Sequence, residues 1–293
     1  MSTSSSTPAA HSILLATDLS AQGDRALDRA VVLAREQGAR LIAVHVLEPG
    51  MPAAAGGAPS WHRLSDDHRE WARYRLGLDL DGAGVDSDIK VESGDPAEHI
   101  LRVAQESGCD LVVTGVGRNE SLGKLLLGST VRKLVRQLSV PVLVVKNRPH
   151  GAYPGGIVAT DFSPESGHAL RLAARLMQRT PLTLFHACDT VLGMPGDAAH
   201  APESLQRDLH NEMRRFLEAT QGLPAGVPAD IVVQYGEPET LLSEYVFRTR
   251  CDLVVAGAQR MKGIMGAMVG SVAERLLESL PSDVMLVRGQ AVP

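Results

Sequence analysis

Cys109-Asp-Leu-Val-Val-Thr-Gly115 recurs as Cys251-Asp-Leu-Val-Val-Ala-Gly257, a spacing of 142 residues. Each copy is a short, continuous apolar run ending in glycine, the pattern of a strand covered on both faces of a sheet. Working outward, Ile13-Leu-Leu-Ala-Thr-Asp-Leu-Ser20 recurs as Gly156-Ile-Val-Ala-Thr-Asp-Phe-Ser163. Gly94-Asp-Pro96 recurs as Gly236-Glu-Pro238, and Gly128-Ser129 as Gly270-Ser271. Solenoid repeats run at about 20–50 residues, so a period this long marks a duplicated domain. The segment Asn147–Gly156 is rich in Pro and Gly and lacks apolar periodicity, which makes it the joint. The expected division is a disordered tail over 1–10, a first domain over 11–147, a linker over 148–155 and a second domain over 156–293.

Each half alternates strand and helix. In the first half, strands are expected at Ile13–Thr17, Leu41–Val46, Ile89–Val91, Leu111–Thr114 and Val140–Val145. Ser20 can cap a helix over Ala21–Gln37, whose apolar positions Ala26, Leu27, Ala30, Val31, Leu33 and Ala34 recur at helical spacing. Trp61–Leu78 reads as a second helix, with Trp61, Trp71 and Tyr74 assigned to core packing by default and to an interface contact as the second reading. Asp95 with Pro96 is a favoured helix start, and Ser129–Leu138 is the fourth helix. The second half repeats the order, with strands near Ile157–Ala159, Leu182–His186, Ile231–Gln234, Leu253–Ala256 and Val284–Val287 and a helix at Leu205–Ala219. The fold class that follows is α/β: two doubly wound, Rossmann-like domains, each a five-stranded parallel sheet with helices on both faces. Val140–Val145 and Asp283–Arg288 are apolar and would be exposed sheet edges. The halves are therefore expected to cover each other there as an internal pseudo-dimer about a near two-fold axis.

The 293 residues are 44% hydrophobic and 22% charged, ordinary globular usage. A net charge of −5 and 3% aromatic content argue against a nucleic-acid partner. No run approaches about 18 apolar residues, so no membrane span is expected. Three dispersed cysteines, with no signal-like N-terminus, point to a reducing, cytoplasmic setting.

Candidate chemistry gathers where strands end. Gly115–Ser129 leaves a strand and enters a helix, and Gly257–Ser271 repeats the layout. Glycines let backbone approach an anion, and a helix N-terminus offers N–H groups and partial positive charge. The alternative is a glycine-punctuated turn with a capping serine; the strand-to-helix context in both halves favours anion binding. Loop charges are Arg118, Glu120 and Lys124 in the first copy and Arg260 and Lys262 in the second, which on charge alone favours the second for phosphate. Asp18 and Asp161 follow the first strand of each half. They can take ribose hydroxyls or brace the turn before Ser20 and Ser163, and both readings stand. His45 and His186 read as packed, hydrogen-bonded histidines, and Cys109 and Cys251 as small buried residues. A Walker loop, a nucleophile elbow and a His-Glu-x-x-His site are all missing from the sequence.

Together, Ala-Thr-Asp-[Leu/Phe]-Ser, Gly-[Asp/Glu]-Pro and the spaced Gly…Gly-Ser, present twice, resemble the universal stress protein family in its tandem form. The resemblance spans about Ser12 to Arg288. It implies a Rossmann-like fold, a role in survival under stress and, in one branch, binding of ATP, with Mg2+, without vigorous catalysis. It implies a ribose contact at Asp18 and Asp161 and an adenine contact from backbone near Leu41 and Leu182. It implies a phosphate loop of Gly115, Arg118, Asn119, Gly128, Ser129 and Thr130, with Gly257, Arg260, Gly270, Ser271 and Val272 in the second half. One departure stands out. The family pattern Gly-x2-Gly-x9-Gly-Ser/Thr has arginine, at Arg118 and Arg260, in place of its second glycine. Arginine loses glycine's backbone freedom and brings a charge that pairs with phosphate.

The leading expectation is an adenine-nucleotide-binding sensor or regulator with an unidentified protein partner and a homodimer as a candidate assembly. The rival is a nucleotide-free module that binds a protein or an apolar ligand through vestigial loops. Slow ATP hydrolysis ranks third, since no general base is placed near either loop.

Overall fold

The computed structural model describes residues 11–48, 65–117, 120–121, 124–125, 127–177, 180–188, 203–258, 260–261, 268–269 and 271–288. The first half runs β1 (Ser12–Thr17), α1 (Ala21–Gln37), β2 (Arg40–Leu47), α2 (Ser65–Leu80), β3 (Ser87–Ser93), α3 (Pro96–Ser107), β4 (Leu111–Gly115), β5 (Glu120–Ser121), β6 (Lys124–Leu125), α4 (Ser129–Gln137) and β7 (Val142–Val145). The second half runs β8 (Gly156–Ala159), α5 (Pro164–Leu176), β9 (Leu182–Cys188), α6 (Glu203–Ala219), β10 (Asp230–Tyr235), α7 (Pro238–Thr249), β11 (Leu253–Ala258), β12 (Arg260–Met261), β13 (Met268–Val269), α8 (Ser271–Ser279) and β14 (Asp283–Arg288).

Ten strands form one sheet in the order β10-β9-β8-β11-β14-β7-β4-β1-β2-β3. The order reads the same from both ends once the halves are matched, as a two-fold requires. Within each half of this sheet every pairing is parallel. At the centre β14 pairs antiparallel with β7, Val284 opposite Val144 and Leu286 opposite Val142. The two apolar final strands thus shield each other, which removes two exposed edges.

Side chains alternate across the sheet. Ile13 and Leu15 join α1, α2, α5 and α6 in one core layer, including Leu76, Leu170 and Phe216. Leu14 and Ala16 join α3, α4, α7 and α8 in the other, including Ile100, Leu134, Leu242 and Leu276. Both layers run through the two halves. Among the described residues no helix is long and apolar enough to cross a membrane.

Three expectations need correction. Tyr74 is 63% exposed; Ala72, Leu76 and Leu80, four residues apart on α2, take the core face. Trp71 is half-buried and carries the Arg75 guanidinium 5.7 Å from its ring, while Trp61 lies outside the described residues. The final strand of the first half begins at Val142, because Pro141 has no N–H to give a ladder. The two-residue hairpins β5–β6 and β12–β13 were not expected. Each lies against the last helix of the other half, β6 on α8 and β13 on α4.

Helices α3 and α7 end at matching positions in the left-handed region, Gly108 at φ 58° and Arg250 at φ 54°. That conformation is strained for a residue with a Cβ, so Arg250→Gly is expected to stabilise the protein by about 0.5–1 kcal/mol, net of glycine's extra freedom when unfolded. Urea titration of the full chain checks this, and an unchanged midpoint would contradict it.

Candidate functional site

The sites lie at the carboxyl ends of β1 and β4, and of β8 and β11. Each first strand leaves through the same three-bond turn. Thr17 Oγ1 accepts from Leu19 N at 3.1 Å, Asp18 Oδ1 from Ser20 N at 3.0 Å, and Ser20 Oγ from Gly23 N at 3.2 Å. In the second half Thr160 Oγ1 accepts from Phe162 N at 3.0 Å, Asp161 Oδ1 from Ser163 N at 3.1 Å, and Ser163 Oγ from Ser166 N at 3.2 Å. These bonds explain Thr-Asp-x-Ser residue by residue. They also hold Leu19 and Phe162 at φ 57° and 62°, a conformation that costs a residue with a Cβ about 1–2 kcal/mol. The turn role of Asp18 and Asp161 is therefore present through Oδ1.

His45 and His186 brace the same turns. Nδ1 of His45 donates to Thr17 O at 2.9 Å, and Nδ1 of His186 to Thr160 O at 2.8 Å. Phe162 stacks on His186 with ring centroids 4.2 Å apart. Both are structural histidines, as the sequence suggested. Cys109 is buried, which pushes its thiol up to about 11, and burial raises Cys251 as well. Neither thiol is poised as a nucleophile.

Gly115 and Gly257 sit where strand meets helix. A Cβ on Gly115 would lie 2.7 Å from Gln22 O, and one on Gly257 2.7 Å from both Glu165 C and Ser166 N. Gly128 is the N-cap of α4, with no side-chain cap bond, so Ser129 is the first helical residue and is exposed. The alternative of a capping serine does not hold here, since the glycine takes the cap and Ser129 stands in the first turn. A residue that reasoning did not single out is Gly117, whose Cβ would stand 2.5 Å from Gly128 Cα. Its signal was present: Gly115 and Gly117 are two glycines in three residues, and two backbones crossing this closely need glycine on both.

The structure thus brings Asp18, Gly115, Gly117, Gly128, Ser129 and Thr130 to one end of the sheet. It does not bring Leu41 or Leu182 there. Leu41 pairs with Ile13, and Leu182 with Gly156, at the amino ends of the strands, and both are buried. Residues of β2 beside Asp18 come from its other end, since His45 pairs with Thr17. In the second half Asp161 is exposed, Gly257 borders α5, and Val272 is 41% exposed in the first turn of α8. Arg118, Asn119 and Gly270 lie outside the described residues, and of Arg260 and Ser271 only the backbone is described.

Two matches to one family model, described as the Universal stress protein family, cover residues 10–146 and 157–288. The chain belongs to the universal stress protein family. It is 27% identical over 293 residues to a universal stress protein of Mycolicibacterium smegmatis, covering 95% of this chain and 97% of that one. It is 25% identical over 232 residues to Universal stress protein E of Escherichia coli, covering 75% and 72%. A solved universal stress protein structure from Pseudomonas aeruginosa superposes with a TM-score of 0.71 over 96% of this chain and 94% of that one, at 19% identity. The two-domain α/β architecture and a place among stress-response proteins follow.

Proposed function

We propose that this universal stress protein is a cytoplasmic, adenine-nucleotide-binding regulator, with ATP and its Mg2+ as the ligand. The observation that carries this reading is the start of α4. Gly128 caps it without a side chain, so the cap residue itself does not occupy the first-turn N–H groups, and Gly117 lets the loop after β4 press against it. Such a terminus receives phosphate through N–H groups and the helix dipole. Ser129 and Thr130 add hydroxyls, and Arg118 adds charge. Asp18, at the same end of the sheet, is the residue this reading assigns to the ribose. Among the described residues no three His, Cys, Asp or Glu stand together for a metal, so magnesium travels on the nucleotide's phosphates in this reading. The contacts of β6 with α8 and of β13 with α4 give the protein a means to carry occupancy of one loop to the other half.

A second reading, a nucleotide-free partner-binding module, is favoured by the turn bonds of Asp18 and Asp161 and by Arg118 and Arg260 in place of glycine. Calorimetric titration of the full chain with ATP, ADP and AMP separates them. The expected result is saturable ATP binding that Gly128→Val with Ser129→Ala weakens at least tenfold. Folded protein that takes up no nucleotide at millimolar concentration would favour the second reading.

A further inference from the structure

Helices α4 and α8 are counterparts in the duplicated sequence, with Gly128-Ser129 matching Gly270-Ser271. By that match Arg132 corresponds to Glu274, and Arg136 to Glu278. The two helices meet across the joint between the halves. Arg132 Nη2 donates to Glu278 Oε1 at 2.6 Å, and Arg136 donates to Glu274 Oε1 from Nη2 at 2.6 Å and from Nε at 2.9 Å. Arg132 Nε also donates to Leu127 O at 3.1 Å, which fixes the guanidinium.

A two-fold contact repeats itself: if position i of one copy meets j of the other, j meets i. Pairing two first halves through this face would set Arg132 of each against Arg136 of the other, four arginines together. Pairing two second halves would gather four glutamates. Only first half with second half brings opposite charges together at both contacts. We propose that these four residues are a pairing code, which matches the halves to each other and bars like-with-like association through α4 or α8.

The segment joining the halves completes the choice in favour of one chain. Asn147 N donates to Asp283 Oδ1 at 3.1 Å, Tyr153 Oη to Asp283 Oδ2 at 2.7 Å, and Arg29 Nη1 to Gly151 O at 2.8 Å. The connection is pinned along its length to both halves, so the second half is held beside its own first half. A second copy of the chain must therefore use another surface.

The test is a charge-reversal cycle in the full-length protein. Arg132→Glu with Arg136→Glu makes both helices acidic, and Glu274→Arg with Glu278→Arg makes both basic. Each pair of changes is expected to lower Tm by roughly 5 °C at low salt and by less at high salt, because the four side chains are partly exposed. All four changes together restore opposite charges and are expected to recover most of the loss. Arg132→Gln with Arg136→Gln, which removes attraction without adding repulsion, should fall between wild type and the acidic variant. If an acidic or basic variant fails to fold while the fourfold variant folds, the code is supported. A fourfold variant no more stable than the two losses added together would overturn it.

Discussion

Asp283→Ala is expected to cost about 3–5 kcal/mol, a fall in Tm of roughly 10 °C, because it strips the carboxylate from the most enclosed polar cluster at the joint. Asp283 is fully buried at the start of β14. Its Oδ1 accepts from Lys146 N at 2.8 Å and Asn147 N at 3.1 Å, and its Oδ2 from Tyr153 Oη at 2.7 Å. Arg29 Nε stands 3.7 Å from Oδ2, with its guanidinium 3.6 Å over the Tyr153 ring. Lys146, also buried, donates from Nζ to Leu280 O at 2.5 Å, and burial brings its ammonium down to about 8 despite the nearby carboxylate. Burial likewise pushes the Asp283 carboxyl up, against the hydrogen bonds and Arg29, which lower it. Alanine would leave two amides, a hydroxyl and a guanidinium facing an empty space, each with its own desolvation cost. Asp283→Asn separates charge from hydrogen bonding. Its amide oxygen can serve Lys146 N and Asn147 N, and its NH2 can donate to Tyr153 Oη. Asparagine should therefore cost clearly less than alanine. Equal losses in urea titrations of the two variants would show that the charge beside Arg29, and not the hydrogen-bond set, holds the joint.

This cluster was not legible in the sequence, and the reason is physical. Asp283 corresponds in the first half to Pro141, so comparing the repeats hides it. Its partners Lys146, Asn147 and Tyr153 come from more than a hundred residues earlier in the chain, and only the sheet brings them close. What the sequence does display is local. Thr17-Asp18-Leu19-Ser20 and Thr160-Asp161-Phe162-Ser163 carry their own hydrogen bonds within three residues, so residue types alone are enough to read the turn. The strands were equally plain, because runs such as Leu111–Val113 have both faces covered and need no alternation. Leu41 and Leu182 show the limit. Residue type places them in a strand, but only register tells which end of the strand faces the loops, and it sets Leu41 beside Ile13 instead of Thr17. Tyr74 fails for a related reason: an aromatic on an amphipathic helix can sit at the rim, while the smaller Ala72 is the residue that is buried.

The same distinction governs Gly115 and Gly257, which sequence reasoning assigned to the approach of phosphate. Gly257→Ala is expected to cost about 3 kcal/mol even with no ligand present. The new methyl would meet Glu165 C and Ser166 N at 2.7 Å and Glu165 O at 2.9 Å, all backbone atoms in the first turn of α5. No rotamer change relieves a backbone contact, so the helix must lift from β11, and overpacking of this kind sits at the upper end of its usual range. Gly115→Ala meets Gln22 O at 2.7 Å and Gln22 C at 3.1 Å in the first turn of α1, and should cost a similar amount. Ser129→Ala is the control. Ser129 is exposed, so its replacement should change the free energy of unfolding by less than about 0.5 kcal/mol. Unfolding of the three variants without nucleotide, followed by ATP titration of each, decides which task the glycines serve. If Gly257→Ala and Gly115→Ala unfold like the wild type and lose only nucleotide affinity, the glycines are there for the ligand. If stability falls first, they are there so that helix and strand can touch, and the phosphate loop is built on a contact that the fold itself requires.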